Sequence, residues 1–204
     1  MLTHRAAAAV LTALAAWQLG QGLYIPLKAL LAQQLIAAAW ARSQHGGPGV
    51  RPWPGADFEP AARLRVPQRG VDLIVLGDAS ARSLAFGPGW MTGPPWAGET
   101  VSALAGHRDT HFRFVRELRG GDWIEIQAPA GGWRRYRVAA IAVIDPGDGP
   151  LRLECAGECV ALVTCHGSRR SRRGEPLRIV ATALRDERGA AQQGGRVTAQ
   201  APSI

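Results

Sequence analysis

Lysine is nearly missing from this sequence: Lys28 stands alone among 24 basic residues, and the others are arginine. A GC-rich coding bias produces that pattern as readily as phosphate recognition does, so the formal net charge of +8 does not by itself point to nucleic acid. No DNA- or RNA-binding motif accompanies the charge, and Arg169, Arg170, Arg172 and Arg173 have no aromatics between them for base stacking. A nucleic-acid partner is therefore set aside; a basic surface beside a bilayer or an anionic cell wall explains the charge as well. Cysteine is scarce too. Cys155, Cys159 and Cys165 are too few for a disulfide scaffold, the paired spacings of zinc sites are absent, and neither metal nor cofactor is expected. Past residue 42 there is very little helical pattern, and 25 Gly with 14 Pro favour a turn-rich β fold over a bundle.

What is present begins with a short basic start, Met1 to Arg5, and then Ala6 to Pro26 without a charge. Apolar content resumes from Ala29 to Trp40. The first stretch is about long enough to cross a bilayer as a helix. It is longer than the core of a cleaved signal peptide, and no cleavage site directly follows it. Arg5 before the span and Lys28 and Arg42 after it leave the positive-inside bias nearly balanced. Gln33 and Gln34 interrupt the second apolar stretch, which reads as a helix leaving the membrane surface. Residues 1–42 are thus an anchor and juxtamembrane helix. Residues 43–56, with Gly46-Gly-Pro-Gly49, Pro52, Pro54 and Gly55, are a linker whose Trp53 either packs back on the domain or sits at the membrane interface.

From 57 to 186 short alternating segments recur: Ala62–Pro67, Val71–Leu76, Val101–Ala105, Trp123–Gln127, a long bent Trp133–Ile144, Leu151–Glu154, the run ending at Cys165, and Leu177–Leu184. A short helix is predicted over Ser80–Phe86 with Asp78 as its cap, and a helical turn over His111–Leu118 packing Phe112, Val115 and Leu118. The fold class is all-β, a barrel of about eight strands with short helices behind an N-terminal anchor helix. Residues 187–204 are polar and glycine-rich, and a disordered tail is expected there.

Chemistry concentrates on two segments. In Cys159-Val-Ala-Leu-Val-Thr-Cys-His-Gly167 a buried strand gives way to polar loop at His166-Gly167. That exposes a thiol beside an arginine cluster, the electropositive setting a thiolate nucleophile needs. In Ala103-Leu-Ala-Gly-His-Arg-Asp-Thr-His-Phe112 another strand ends in Gly-His, and a cysteine and histidine distant in sequence form a thiol–imidazole pair if the fold joins them.

Together these segments resemble the sortases, membrane-anchored cysteine transpeptidases with a Thr-Leu-x-Thr-Cys strand, an apolar-Ala-Gly-His strand and a later strand arginine. Here they read Ala161-Leu-Val-Thr-Cys165, Leu104-Ala-Gly-His107, and Arg178 in Pro176-Leu-Arg-Ile-Val180; Ala161 replaces the first threonine. The Gly-His-Arg-Asp-Thr-His-Phe-Arg-Phe version is most similar to sortases of Gram-negative bacteria. The resemblance implies a barrel carrying Cys165 as nucleophile, His107 as acid and base, and Arg178 as donor to the developing oxyanion. Asp109, Thr164 and His166 are candidates for supporting roles, Asp109 by orienting His107. It also implies a secreted protein with an LPXTG-like C-terminal sorting signal as substrate, an amine as acceptor, lipid as partner of the first helix, and a catalytic domain on the periplasmic or extracytoplasmic side. Two other readings stay open: a cysteine hydrolase in which water resolves the thioester, and a tethered binding barrel with no catalysis. An L,D-transpeptidase does not fit, since Thr164-Cys165 lacks the Ser-x-Gly-Cys elbow. Cys155 and Cys159 are either a local bridge outside the cytoplasm or two reduced thiols in a loop.

Overall fold

In the computed structural model, which describes residues 2–46, 49–149, 151, 153–155, 157–171, 174–186 and 198–199, the alternating segments close on themselves. Strands β1 (Pro60–Val66), β2 (Val71–Leu76), β3 (Gly89–Trp90), β4 (Val101–Ala105), β5 (Trp123–Gln127), β6 (Trp133–Ile144), β8 (Cys159–Arg170) and β9 (Pro176–Arg185) form a barrel in the order β1-β2-β3-β4-β8-β9-β6-β5. β7 (Leu153–Glu154) lies outside it and pairs with β10 (Thr198–Ala199). The eighth barrel strand is therefore β3, in a segment not read as a strand, and the expected 151–154 strand shrinks to β7. β3 escaped notice because two residues cannot show a period. Its value is positional: it runs parallel to β2 and antiparallel to β4, closing the sheet between them. The rest of the expected tail lies outside the described residues.

Alternation decides what fills the barrel. Leu64, Val66, Val75, Leu104, Ile124, Ile126, Tyr136, Val160 and Leu162 point inward and are fully excluded from water. Each such side chain contributes about 1.5–3 kcal/mol of burial. Phe112, Phe114, Val115 and Leu118 close one end from a 3₁₀ turn at Arg113–Glu117, the expected residues plus Phe114. Long β6 bends where its register against β9 shifts between Val138 and Ala140.

The two helices differ from expectation at the edges. Helix α1 (Leu2–Gly46) runs unbroken past Pro26 and past Arg42, into the segment expected to be linker. Its last third, read as a helix leaving the membrane surface, packs on the barrel, because Ala32, Ile36, Ala39, Trp40 and Ser43 form one buried stripe. Trp53 packs back on the domain, edge-on to Phe58 and Phe86. Helix α2 (Ala81–Leu84) is shorter than expected, and Ser80 caps it by accepting from the Ser83 N–H at 3.2 Å. Asp78 instead accepts from the Ser80 N–H. Cys155 and Cys159 are disulfide-bonded, which leaves Cys165 as the free thiol.

Candidate active site

Parity along β8 sorts its side chains onto two faces. Val160 and Leu162 point into the barrel, while Ala161 and Val163 join Ala103 and Val180 in a smaller apolar cluster on the outer face. Ile144, Leu151 and Leu153 pack against that cluster. Cys165 continues the outward series, and so does Arg178 two residues before Val180. The two are direct neighbours in the β8–β9 ladder, and the Arg178 Nη1–H donates to Cys165 Sγ. The contact sets a permanently charged guanidinium against the sulfur.

β8 does not end at the thiol, as the sequence suggested. It runs on to Arg170, but its register against β9 shifts between Cys165 and Arg170. Gly167, at φ 111, carries the backbone through this irregular stretch. A Cβ there would sit 2.3 Å from Arg108 Nη1. Arg108 therefore lies across Gly167, within electrostatic reach of Cys165. The thiol is exposed by a break in the sheet, not by the end of a strand.

β4 runs parallel to β8 with Ala105 opposite Val163. Beyond that pair the Gly106 N–H donates to Val163 O at 3.3 Å, and Thr164 Oγ1 donates to Gly106 O at 2.8 Å. His107 thus leaves β4 two residues past Ala105, at the level where Cys165 stands two past Val163. His107 is exposed, Cys165 and Arg178 half-buried. The His107 carbonyl accepts from the Phe112 N–H at 3.0 Å, folding the next segment back under the barrel.

Gly106 makes that fold-back fit. A Cβ there would meet Phe112 Cγ at 2.5 Å, so the ring lies flat over bare backbone. Gly106→Ala is expected to cost about 1–3 kcal/mol through overpacking and to shift His107. Thermal denaturation should show a drop of several degrees, with peptide turnover falling in step. A variant with wild-type melting and turnover would mean that Phe112 yields freely.

The other candidates divide. Thr164 is buried and points inward, where it ties the ends of β4 and β8 together. His166 is half-buried and its Nδ1 has no partner. Both oxygens of Asp109 are taken by Arg108, at 2.8 and 2.6 Å, so the carboxylate holds Arg108 in place of His107. His111 faces a cleft lined by Gln68, Arg69, Asp72 and Glu117. Burial, and secondarily the charge of His107, lowers its pKa. Arg170 donates to Gly174 O at 2.8 Å and is thereby committed to its own hairpin. Sequence reading missed Arg108; its place beside His107 in Gly-His-Arg-Asp was the available signal.

What assembles is a thiol bonded by the Arg178 guanidinium, with Arg108 across the neighbouring Gly167, an imidazole-bearing strand end at the same level, and an apolar floor of Ala103, Ala161, Val163 and Val180. Such a set suits attack on an acyl carbon held along the outer face.

A family model described as Sortase domain matches residues 64–186. Similar solved structures include sortase A from Corynebacterium diphtheriae, 18% identical, covering 79% of this chain and 86% of that one with a TM-score of 0.53. Sortase C1 from Streptococcus agalactiae is 19% identical over 78% of this chain and 87% of its own, TM-score 0.52. Sortase C1 from Streptococcus suis is 20% identical over 66% and 77%, TM-score 0.52. At such identities the structural likeness is one of fold. No curated protein sequence matches the chain.

Proposed function

The chain belongs to the sortase family of cysteine transpeptidases, and from that premise we propose that Cys165, His107 and Arg178 carry out its acyl transfer on the C-terminal sorting signal of a secreted protein. The observation that carries the assignment is the pairing of Cys165 with Arg178 and its guanidinium-to-sulfur bond, one strand away from the end of β4. Helix α1 contains a stretch long and apolar enough to cross a membrane. In this reading it crosses once, with the barrel on the extracytoplasmic side where secreted clients emerge.

The thiolate of Cys165 attacks the scissile carbonyl carbon, and the carbonyl π pair moves to oxygen. Arg178, already against the sulfur, needs only a small shift to donate to that oxyanion as the C–S bond forms. Its fixed, planar fork suits the double task better than an ammonium would. Collapse expels the amine, which takes a proton from the His107 imidazolium and leaves a thioester. An incoming amine then gives a proton to His107, attacks the thioester carbon and releases the thiolate. The apolar floor and the Ile144, Leu151 and Leu153 wall take an aliphatic side chain upstream of the bond, the chemistry of an LPXTG-like motif. Arg108 adds a second positive charge at the thiol and is held for that by Asp109.

The test is turnover of a fluorogenic sorting-signal peptide with and without an added amine. His107→Gln is expected to lower turnover by about 10²–10⁴, the usual worth of general acid–base catalysis. Added amine should divert product from the free acid to the amide in wild type. Acid as the sole product at saturating amine would make the protein a hydrolase. Wild-type turnover in His107→Gln would remove the imidazole from the mechanism.

A further inference from the structure

The surface of α1 changes character abruptly between Leu31 and Ala32. Before it, Leu11, Leu14, Trp17, Leu19, Leu23, Tyr24, Ile25, Leu27, Leu30 and Leu31 are all more than half exposed, on every side of the helix. No surface of the described residues covers them, as suits a span that faces lipid. From Ala32 onward one stripe is buried: Ile36 packs with Phe58 and Leu76, and Trp53, Ile74 and Phe86 pack against that cluster. Gln33 Nε2 donates to the Phe86 carbonyl at 2.7 Å, so the first turn after the switch is already bonded to the barrel.

Lys28 is the one charge in this region, a single turn before the switch. Its stem reaches along the helix with the ammonium 6.0 Å from the Tyr24 ring, a placement that suits the headgroup boundary. The glycine- and proline-rich segment that reads as a tether in the sequence comes after the docked helix, not before it. Between the lipid-facing span and the barrel there is no loose residue.

We infer that α1 is a rigid stalk that clamps the barrel to the bilayer at one height and so limits which peptide bonds the thiol can reach. The inference rests on the proposed membrane crossing and extends it to substrate selection. An upper bound on the height follows from the chain itself. Gln33 is five residues beyond Lys28, about 7 Å along the helix. Phe86 to Gly89 is three residues, Gly89 lies opposite Ala105, and His107 is two residues farther. At strand spacings that path adds roughly 20–25 Å, and the Gln33 side chain with its hydrogen bond adds about 10 Å more. The catalytic rim therefore stands no more than about 40 Å above the headgroups, the reach of about twelve extended residues. A scissile bond joined to its own membrane segment by a spacer too short for the stalk's height is out of range.

The full chain, reconstituted in phosphatidylcholine–phosphatidylglycerol vesicles, provides the test. Single-span synthetic substrates would carry the scissile sequence on spacers from about three to about fifteen residues. The expected wild-type result is a sharp threshold, with turnover falling more than about tenfold below a critical spacer length. A variant with a flexible Gly-Ser insertion of about ten residues between Leu31 and Ala32 should lose the threshold, varying less than threefold across the series. Both proteins should turn over a soluble peptide equally. Hydrogen exchange gives a second readout, since residues 32–43 should be protected in both proteins. A wild-type profile without a threshold, the same threshold in the insertion variant, or fast exchange at 32–43 overturns the stalk. Loss of soluble-peptide turnover in every protein would instead count against the catalytic assignment, while the exchange measurement still decides the stalk.

Discussion

Cys165→Ala is expected to leave a folded barrel with no measurable turnover of sorting-signal peptide and no acyl-enzyme by mass spectrometry. The two halves of that expectation have separate reasons. Folding is spared because Cys165 is half-buried on the outer face, where only its sulfur meets Arg178. The cavity penalty that makes core truncations cost about 2–5 kcal/mol does not arise there. Activity is lost because no other thiol can take over: Cys155 and Cys159 are joined to each other at the far end of β8. Without a nucleophile the remaining donors can only polarise a bound carbonyl, and residual rates in dismantled triads sit about 10⁶ below the intact enzyme. Melting within about a degree of wild type together with abolished turnover is the pattern that supports the assignment. Retained turnover would end it.

Arg178→Ala should reduce kcat by about 10²–10³, the range seen when one oxyanion donor is removed. The reason is its double engagement. In the resting site it donates to the sulfur, and in the proposed mechanism the same fork would turn to the oxygen where charge accumulates. Arg178→Lys should recover little of the loss, because an ammonium cannot present two donors in a fixed plane. KM should change much less than kcat in both variants, since the contact strengthens only as charge develops. Arg108 is the natural rival, and Arg108→Ala is expected to have the smaller effect: its side chain is already committed to Asp109 by two hydrogen bonds. If Arg178→Ala loses less than about fivefold while Arg108→Ala loses more, the two guanidiniums have been assigned the wrong way round.

Several details of the site were open to reading in the chain. The run Val160 to Val163 had to be a buried strand, and Gly106-His107 and Thr164-Cys165 announced themselves by residue type. Others were not. β8 was expected to stop at Cys165 because His166, Gly167 and the arginines that follow are polar. The strand continues because a ladder is set by its partner: Arg170 pairs with Pro176 across the hairpin whatever its polarity. Asp109 was one candidate to orient His107, yet a neighbouring guanidinium in bidentate geometry offers a carboxylate more than an exposed imidazole does.

Residue type and period are local properties, and they determined the alternating strands and the apolar first helix, while the resemblance to a family singled out Cys165, His107 and Arg178. Tertiary structure decided everything that depends on a distant neighbour. Parallel pairing of β4 with β8 sets His107 level with Cys165. The break in the β8–β9 register opens the thiol, and the buried stripe docks the end of α1 on the barrel. Register and docking are settled by which surfaces meet, and no window of a single chain contains both surfaces.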